Sequence, residues 1–129
     1  MPFAELGDVR IHYALEGPES APVVVFSNSL GTNYSMWDPQ AAALSKRFRI
    51  LRYDTRGHGQ SSITSGLYSI DLLAKDVVNL LDSLHLNRVH FCGLSMGGMI
   101  GMWLGINVPE RLDKLILCST AVKIGTAET

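Results

Sequence analysis

The sequence predicts an α/β domain: a mostly parallel β-sheet with helices on both faces, opened by a β-hairpin. Three observations predict it. After the hairpin, short apolar runs alternate with segments of helical length and spacing, the order that builds a parallel sheet. Val23-Val24-Val25-Phe26 is continuously apolar rather than alternating, as a strand buried on both faces requires. The run from Val89 to Cys92 leads through Gly93-Leu94-Ser95-Met96-Gly97 straight into an apolar stretch of helical length, a strand–turn–helix passage.

Phe3 to Leu6 and Val9 to Leu15 read as the hairpin strands, joined at Gly7-Asp8, a dipeptide suited to a tight turn. Gly17 to Pro22 is a loop, Val23 to Phe26 the third strand, and Ser27 to Ser35 a polar connection. Asp38 is the expected cap of the next helix, with Pro39 at its first position, where a missing N–H leaves no helical bond unmade. Arg49 to Tyr53 is a strand, followed by a long loop from Asp54 to Tyr68. Ser69 is placed to cap a helix carrying Leu73, Val77, Leu80, Leu81 and Leu84 along one face. Val89 to Cys92 is the next strand, and the helix from Met96 to Asn107 ends ahead of Pro109, because proline disfavours helical backbone in the residue before it. Leu115 to Cys118 is the last strand. No repeat, low-complexity tract or linker divides residues 1–129, which read as a single unit.

Composition narrows the function class. A chain that is 47% hydrophobic and 18% charged is globular and can bury a core. Its net charge of −1 points to neither nucleic acid nor an anionic membrane surface. No apolar run approaches the length of a membrane span, and Met1-Pro2-Phe3-Ala4-Glu5 has no basic or apolar export signature. Cys92 and Cys118 each fall inside an expected strand, which suggests buried thiols in a reducing compartment, with the cytoplasm as the default.

The chemistry is expected at strand C-terminal ends, where open α/β sheets carry it. In the turn at 93–97 the strand delivers Ser95, the turn lifts it clear, and the helix start faces an anion. The simpler alternative is a packing turn in which Ser95 caps the helix; the strand–turn–helix context favours a nucleophile. A carbonyl attacked by Ser95 becomes an oxyanion and needs two preorganised donors. The Met96 backbone N–H is the first; Leu30 N–H, aimed inward by the path that Gly31 permits, is expected as the second.

Asp54-Thr55-Arg56-Gly57-His58-Gly59 resembles a degraded dinucleotide motif, but no helix opens after Gly59 and Ser62 replaces the third glycine. A structural role is favoured over His58 acting as general base, with Asp54 and Arg56 satisfying loop backbone groups and each other. Ser119 to Lys123 carries no carboxylate at the last strand tip, and Glu128 is too far along. His12 lies in the hairpin, His85 ends a helix where it can face the helix dipole, and His90 is a half-buried strand residue. No histidine follows Ser95, although the nucleophile-elbow order places acid and histidine after the serine.

Ser27-Asn28-Ser29-Leu30-Gly31-Thr32, Tyr53-Asp54-Thr55-Arg56-Gly57-His58-Gly59 and Gly93-Leu94-Ser95-Met96-Gly97-Gly98 together resemble the 3-oxoadipate enol-lactonase family of α/β hydrolases. Met36-Trp37, Ile70-Asp71-Leu72, and Leu117 to Ala121 with Lys123-Ile124-Gly125 fit the same family, so the similarity runs along the whole chain. Ser-Asn-Ser-Leu-Gly-Thr stands where many relatives carry His-Gly, and the elbow serine argues against haloalkane dehalogenases, whose elbow carries aspartate. The resemblance implies an α/β-hydrolase fold and hydrolysis of a small lactone to 3-oxoadipate in bacterial breakdown of protocatechuate and catechol. It implies Ser95 as nucleophile, Leu30 and Met96 as oxyanion donors, and no metal or organic cofactor. Since that substrate carries a carboxylate, a cationic group is expected, and Arg56 is a candidate. A carboxylesterase, a carbon–carbon bond hydrolase or a cofactor-free haloperoxidase would show a similar first half; a catalytically inactive interaction module is the alternative outside enzymes.

Family members continue into a helical cap, further strands, and the triad aspartate and histidine, so the chain resembles an N-terminal half. With the family's strand order, Leu115 to Cys118 would become an exposed apolar edge, which calls for a complementary C-terminal segment or second chain.

Overall fold

The computed structural model describes residues 2–120. The expected hairpin forms from β1 (Phe3–Leu6) and β2 (Val9–Glu16), paired antiparallel with Phe3 opposite His12. Its turn requires Gly7, at φ 71°, a conformation that costs a side-chain-bearing residue about 1–2 kcal/mol. β3 (Val23–Ser27), β4 (Arg49–Tyr53), β5 (Val89–Leu94) and β6 (Leu112–Cys118) complete a six-stranded sheet ordered β1-β2-β4-β3-β5-β6 among the described residues. β2 pairs antiparallel with β4; the β3–β4, β3–β5 and β5–β6 pairs are parallel.

Both faces of the central strands are covered, which explains their continuous apolar runs. Val23 and Val25 face one core with Leu51, Tyr53, Val89 and Phe91, while Val24 and Phe26 face the other with Ile50 and Cys92. The first core is closed by α2 (Ile70–Ser83) and α3 (Met96–Asn107), the second by Trp37 and Ala41 of the 37–44 region. α2 starts as expected: the Ser69 hydroxyl accepts from the Leu72 N–H at 3.0 Å. Val77, Leu80 and Leu81 are buried on its inner face, each transferring about 1.5–3 kcal/mol of apolar surface out of water. His85 follows α2 in the left-handed region, φ 58°, and its N–H bonds the Asp82 carbonyl.

Several boundaries differ from the sequence expectation. The polar connection ends in a short 3₁₀ helix, Tyr34–Trp37, capped by Asn33, whose carboxamide oxygen accepts from the Ser35 N–H. Asp38 is not the N-terminal cap of the helix: it is the first residue of α1 (Asp38–Leu44), already helical at φ −51°, and its carboxylate binds Arg52. The 3₁₀ turn supplies the helix start instead, which frees Asp38 for the strand arginine beneath it. β5 and β6 both run longer than their apolar cores, because parallel pairing continues from Val89–Leu112 to Leu94–Cys118 across a register shift.

β6 is the outermost described strand on its side, and Leu115, Ile116 and Leu117 are exposed there, Ile116 by 54%. The exposed apolar edge expected from the sequence is therefore present. Beside it, Val24, Phe26, Leu44, Phe48, Cys92 and Ile116 line an apolar groove of about 430 Å³. Across the sheet, Met99, Met102, Trp103, Ile106 and Leu115 line a second of about 550 Å³.

Two buried acids make the fold sensitive to alkali. Burial, and then the adjacent Cys118 thiol, push Cys92 up to about 11. Burial likewise pushes the Tyr53 phenol above its ordinary value, the hydrogen bond with Ser27 opposing only part of it. Both groups hold their protons to higher pH when folded than when unfolded. The Cys92 contribution is therefore complete below the ordinary thiol value of 9 and is lost as pH climbs to about 11, while that of Tyr53 begins to be lost only above the ordinary phenol value of 10. Urea midpoints measured between pH 8 and 11 should fall steadily, and Cys92→Ala should flatten the earlier part of that fall.

Candidate active site

The chain leaves β3 toward β4 on one side and β5 toward β6 on the other, so the crevice beyond their C-terminal ends is the sheet's switch point. Ligands of open α/β sheets bind in such crevices. Ser27 and Gly93 are register partners there, which brings the loop after β3 beside the turn after β5.

Ser95 sits in that turn at φ 55° and ψ −112°. Such a backbone costs a non-glycine residue about 1–3 kcal/mol and persists only where its surroundings impose it. Here they do. The Ser95 N–H donates to the Cys118 carbonyl at 2.8 Å, and the Ser95 carbonyl accepts from the Thr120 hydroxyl at 2.8 Å and the Met99 N–H at 3.1 Å. The Ser95 side chain makes no cap bond to α3, so the capping alternative has no support in the geometry.

The two motif glycines are needed for close approach. A Cβ on Gly93 would lie 2.2 Å from the Gly97 carbonyl oxygen, and one on Gly97 would lie 2.2 Å from the Ser27 carbonyl oxygen. Backbone atoms cannot yield as a flexible side chain can. Gly97→Ala should therefore destabilise the fold by about 3 kcal/mol, the upper end for overpacking, as read from urea denaturation. Because Ser27 leads into the neighbouring loop, the same substitution should also displace residues 28–32.

In that loop Gly31 takes φ 77° with open space around it, and the Thr32 hydroxyl donates to the Ser29 carbonyl at 2.7 Å. The Leu30 side chain is 71% exposed, so its position is set by the backbone turn and not by packing. Met96 opens α3 with its side chain buried, leaving its N–H at the helix start beside Ser95.

The 54–59 loop is structural, but not in the pairing expected. Asp54 and Arg56 do not satisfy each other. The Asp54 carboxylate accepts from His12 Nδ1 at 2.9 Å, the Tyr34 N–H at 2.8 Å and the Gln60 N–H at 3.0 Å. Arg56 donates through Nε and Nη2 to Asp76 of α2, both at 2.8 Å, and also reaches Asp8 and Thr64. The Asp76 hydrogen bond outweighs burial and raises Arg56 above its ordinary value. Its donors are thus committed inside the fold, to Asp76, Asp8 and Thr64. His58 Nδ1 lies 3.2 Å from the Arg56 carbonyl oxygen, and His90 is half-buried in β5.

Sequence reasoning missed the buried His12–Asp54 pair and the buried amide of Asn28. Asp54 lies 42 residues from His12, and the Asn28 amide bonds Tyr53 and Trp37, 25 and 9 residues away, spacings that no local pattern records. Ala121, Val122, Lys123, Ile124, Gly125 and Glu128 lie outside the described residues.

Residues 22–128 match the family described as alpha/beta hydrolase fold. The chain belongs to the α/β-hydrolase family. Among relatives of this chain, 3-oxoadipate enol-lactonase 2 of Acinetobacter baylyi is 50% identical over 121 residues, covering 94% of this chain and 45% of that protein. The crystal structure of the enol-lactonase from Burkholderia xenovorans LB400 superposes with a TM-score of 0.95 at 49% identity, covering 99% of this chain and 50% of that one. A hydrolase from Pseudomonas aeruginosa gives 0.94 at 44% identity, covering 98% and 48%. The chain therefore spans about half the length of the relatives it matches, as the resemblance to an N-terminal half implied. Among its described residues no helix is long and apolar enough to cross a membrane.

Proposed function

We propose that this chain is the nucleophile-bearing part of a serine hydrolase that opens the ring of 3-oxoadipate enol-lactone. The observation that carries the reading is Ser95, held at φ 55° on the turn between β5 and α3 at the sheet's switch point. The 50% identity to a named enol-lactonase supports the lactone as substrate.

In this reading Ser95 Oγ attacks the lactone carbonyl while a histidine outside this chain takes its proton. Met96 N–H and an N–H of the Ser29-Leu30 turn, with Leu30 the donor expected from sequence, receive the oxyanion. Collapse of the tetrahedral adduct breaks the ring C–O bond; the histidine returns the proton to the departing oxygen, and the free enol then tautomerises to the ketone by moving that proton from oxygen to carbon. Water, deprotonated by the same histidine, then attacks the acyl ester and releases Ser95. Each step is acid–base and nucleophilic chemistry, with no call on a metal or organic cofactor. The complementary C-terminal segment supplies the acid and the histidine and covers β6. A cytoplasmic setting rests on the two free thiols, Cys92 and Cys118.

The test is hydrolysis of the enol-lactone against p-nitrophenyl esters by the full-length protein, with phosphonate labelling of Ser95. Rapid labelling and preference for the lactone are expected. A strong preference for simple esters would move the assignment to a carboxylesterase; absence of labelling would remove the nucleophile.

A further inference from the structure

In the proposed reaction the loop after β3 presents a backbone N–H to an oxyanion, yet residues 28–31 lie outside every described strand and helix. Asn28 stands at its root. The side chain is buried completely, and both ends of its amide are used. Nδ2 donates to the carbonyl of Tyr53, the last residue of β4, at 2.9 Å; Oδ1 accepts from the Trp37 indole Nε1 at 2.8 Å. Only one amide orientation satisfies both partners, since a carbonyl only accepts and an indole N–H only donates. Trp37 is itself buried and packs against Phe26 of β3 with ring centroids 4.7 Å apart. One step earlier in the chain, the Ser27 and Tyr53 hydroxyls lie 2.7 Å apart. Asn28 thus ties the start of the loop to the neighbouring strand on one side and to the end of the 3₁₀ helix on the other.

We propose that Asn28 is a positioning residue for the oxyanion hole: its amide clamps the loop between the Tyr53 carbonyl and the Trp37 indole, setting where the Ser29-Leu30 turn aims its N–H. The proposal rests on the serine-hydrolase reading for its catalytic consequence, but not for the clamp itself. The Asn28 amide carries a donor and an acceptor on one short planar group, which lets it bond the Tyr53 carbonyl and the Trp37 indole at once. Asn28→Asp keeps the shape and loses the donor, setting an acceptor against the Tyr53 carbonyl.

Two readouts on the full-length protein separate the parts of the inference. The first is amide hydrogen exchange across residues 27–37 in wild type, Asn28→Asp and Asn28→Ala, which needs no activity. Exchange in that segment should accelerate about tenfold or more while β5 and α2 stay unchanged, as expected for local rather than global opening. The second is steady-state kinetics: kcat should fall by about 10²-fold with KM within about twofold of wild type, the pattern of a lost transition-state donor. Should the Asn28 variants fail to fold, Trp37→Phe keeps the ring packing and removes one half of the clamp; it should give the same pattern at smaller size. Unchanged exchange at 27–37 would overturn the clamp. Accelerated exchange with unaltered kcat would overturn its role in positioning. A wild-type protein that neither labels nor turns over defeats the proposed reaction, while the exchange result still decides the clamp.

Discussion

Asp76→Ala should destabilise the protein by about 3–5 kcal/mol, the cost of leaving a buried charge without its partner. Asp76 and Arg56 are 6% and 5% exposed and joined by two parallel hydrogen bonds of 2.8 Å. The outer contact cannot replace the inner one: Asp8 reaches Arg56 only at 3.4 Å and its side chain is 76% exposed, where an ion pair contributes about 0–1 kcal/mol. Replacing both partners with apolar residues of similar volume, Arg56→Met with Asp76→Leu, should recover most of the loss, because it removes the desolvated charges together. Urea denaturation of the two singles and the double checks this. The same experiment decides what Arg56 is for. A substrate-binding arginine would give an Asp76→Ala protein with altered KM and nearly normal stability, the reverse of the result expected.

Ser95→Ala in the full-length protein should lower hydrolysis by about 10⁶-fold and abolish phosphonate labelling, since the nucleophile and its base act as one unit. Residual turnover of about 10³-fold over water is compatible with this, because binding and the oxyanion hole survive the substitution. Ser95→Gly should be equally inactive yet more stable than wild type by about 1 kcal/mol, as glycine accepts a positive φ without the Cβ clash. Inactivation joined to stabilisation is the signature of strain kept for chemistry. A Ser95→Ala protein that hydrolyses the lactone at the wild-type rate would sink the enzymatic reading.

How much of this was legible in the sequence follows from the range of each interaction. Met96–Asn107 and Arg49–Tyr53 have the ends read from the chain, because a proline or a polar loop stops them locally. Ser69 was legible as a cap because its partner, Leu72, is three residues on. Asp38 was misread for the opposite reason. Beside Pro39 it has the local form of a cap, and only β4 passing beneath the helix, with Arg52 on it, makes it an ion-pair partner. β6 was read short because the charged Asp113 and Lys114 interrupt its apolar run, and only the pairs Val89–Leu112 and Phe91–Leu115 on either side of the register shift carry the strand through them.

The sequence by itself determined the order of strands and helices, the glycine-flanked serine between strand and helix, and the relationship to α/β hydrolases. These depend on side-chain periodicity and on contacts within a few residues. Tertiary structure alone decided which polar groups are spent on the fold. Arg56 has the look of a binding residue, yet α2 brings Asp76 to it; Asn28 has the look of loop filler, yet Tyr53 and Trp37 close on its amide. A buried polar group must be paired, and its partner comes from wherever the chain returns in space, which no local spacing records.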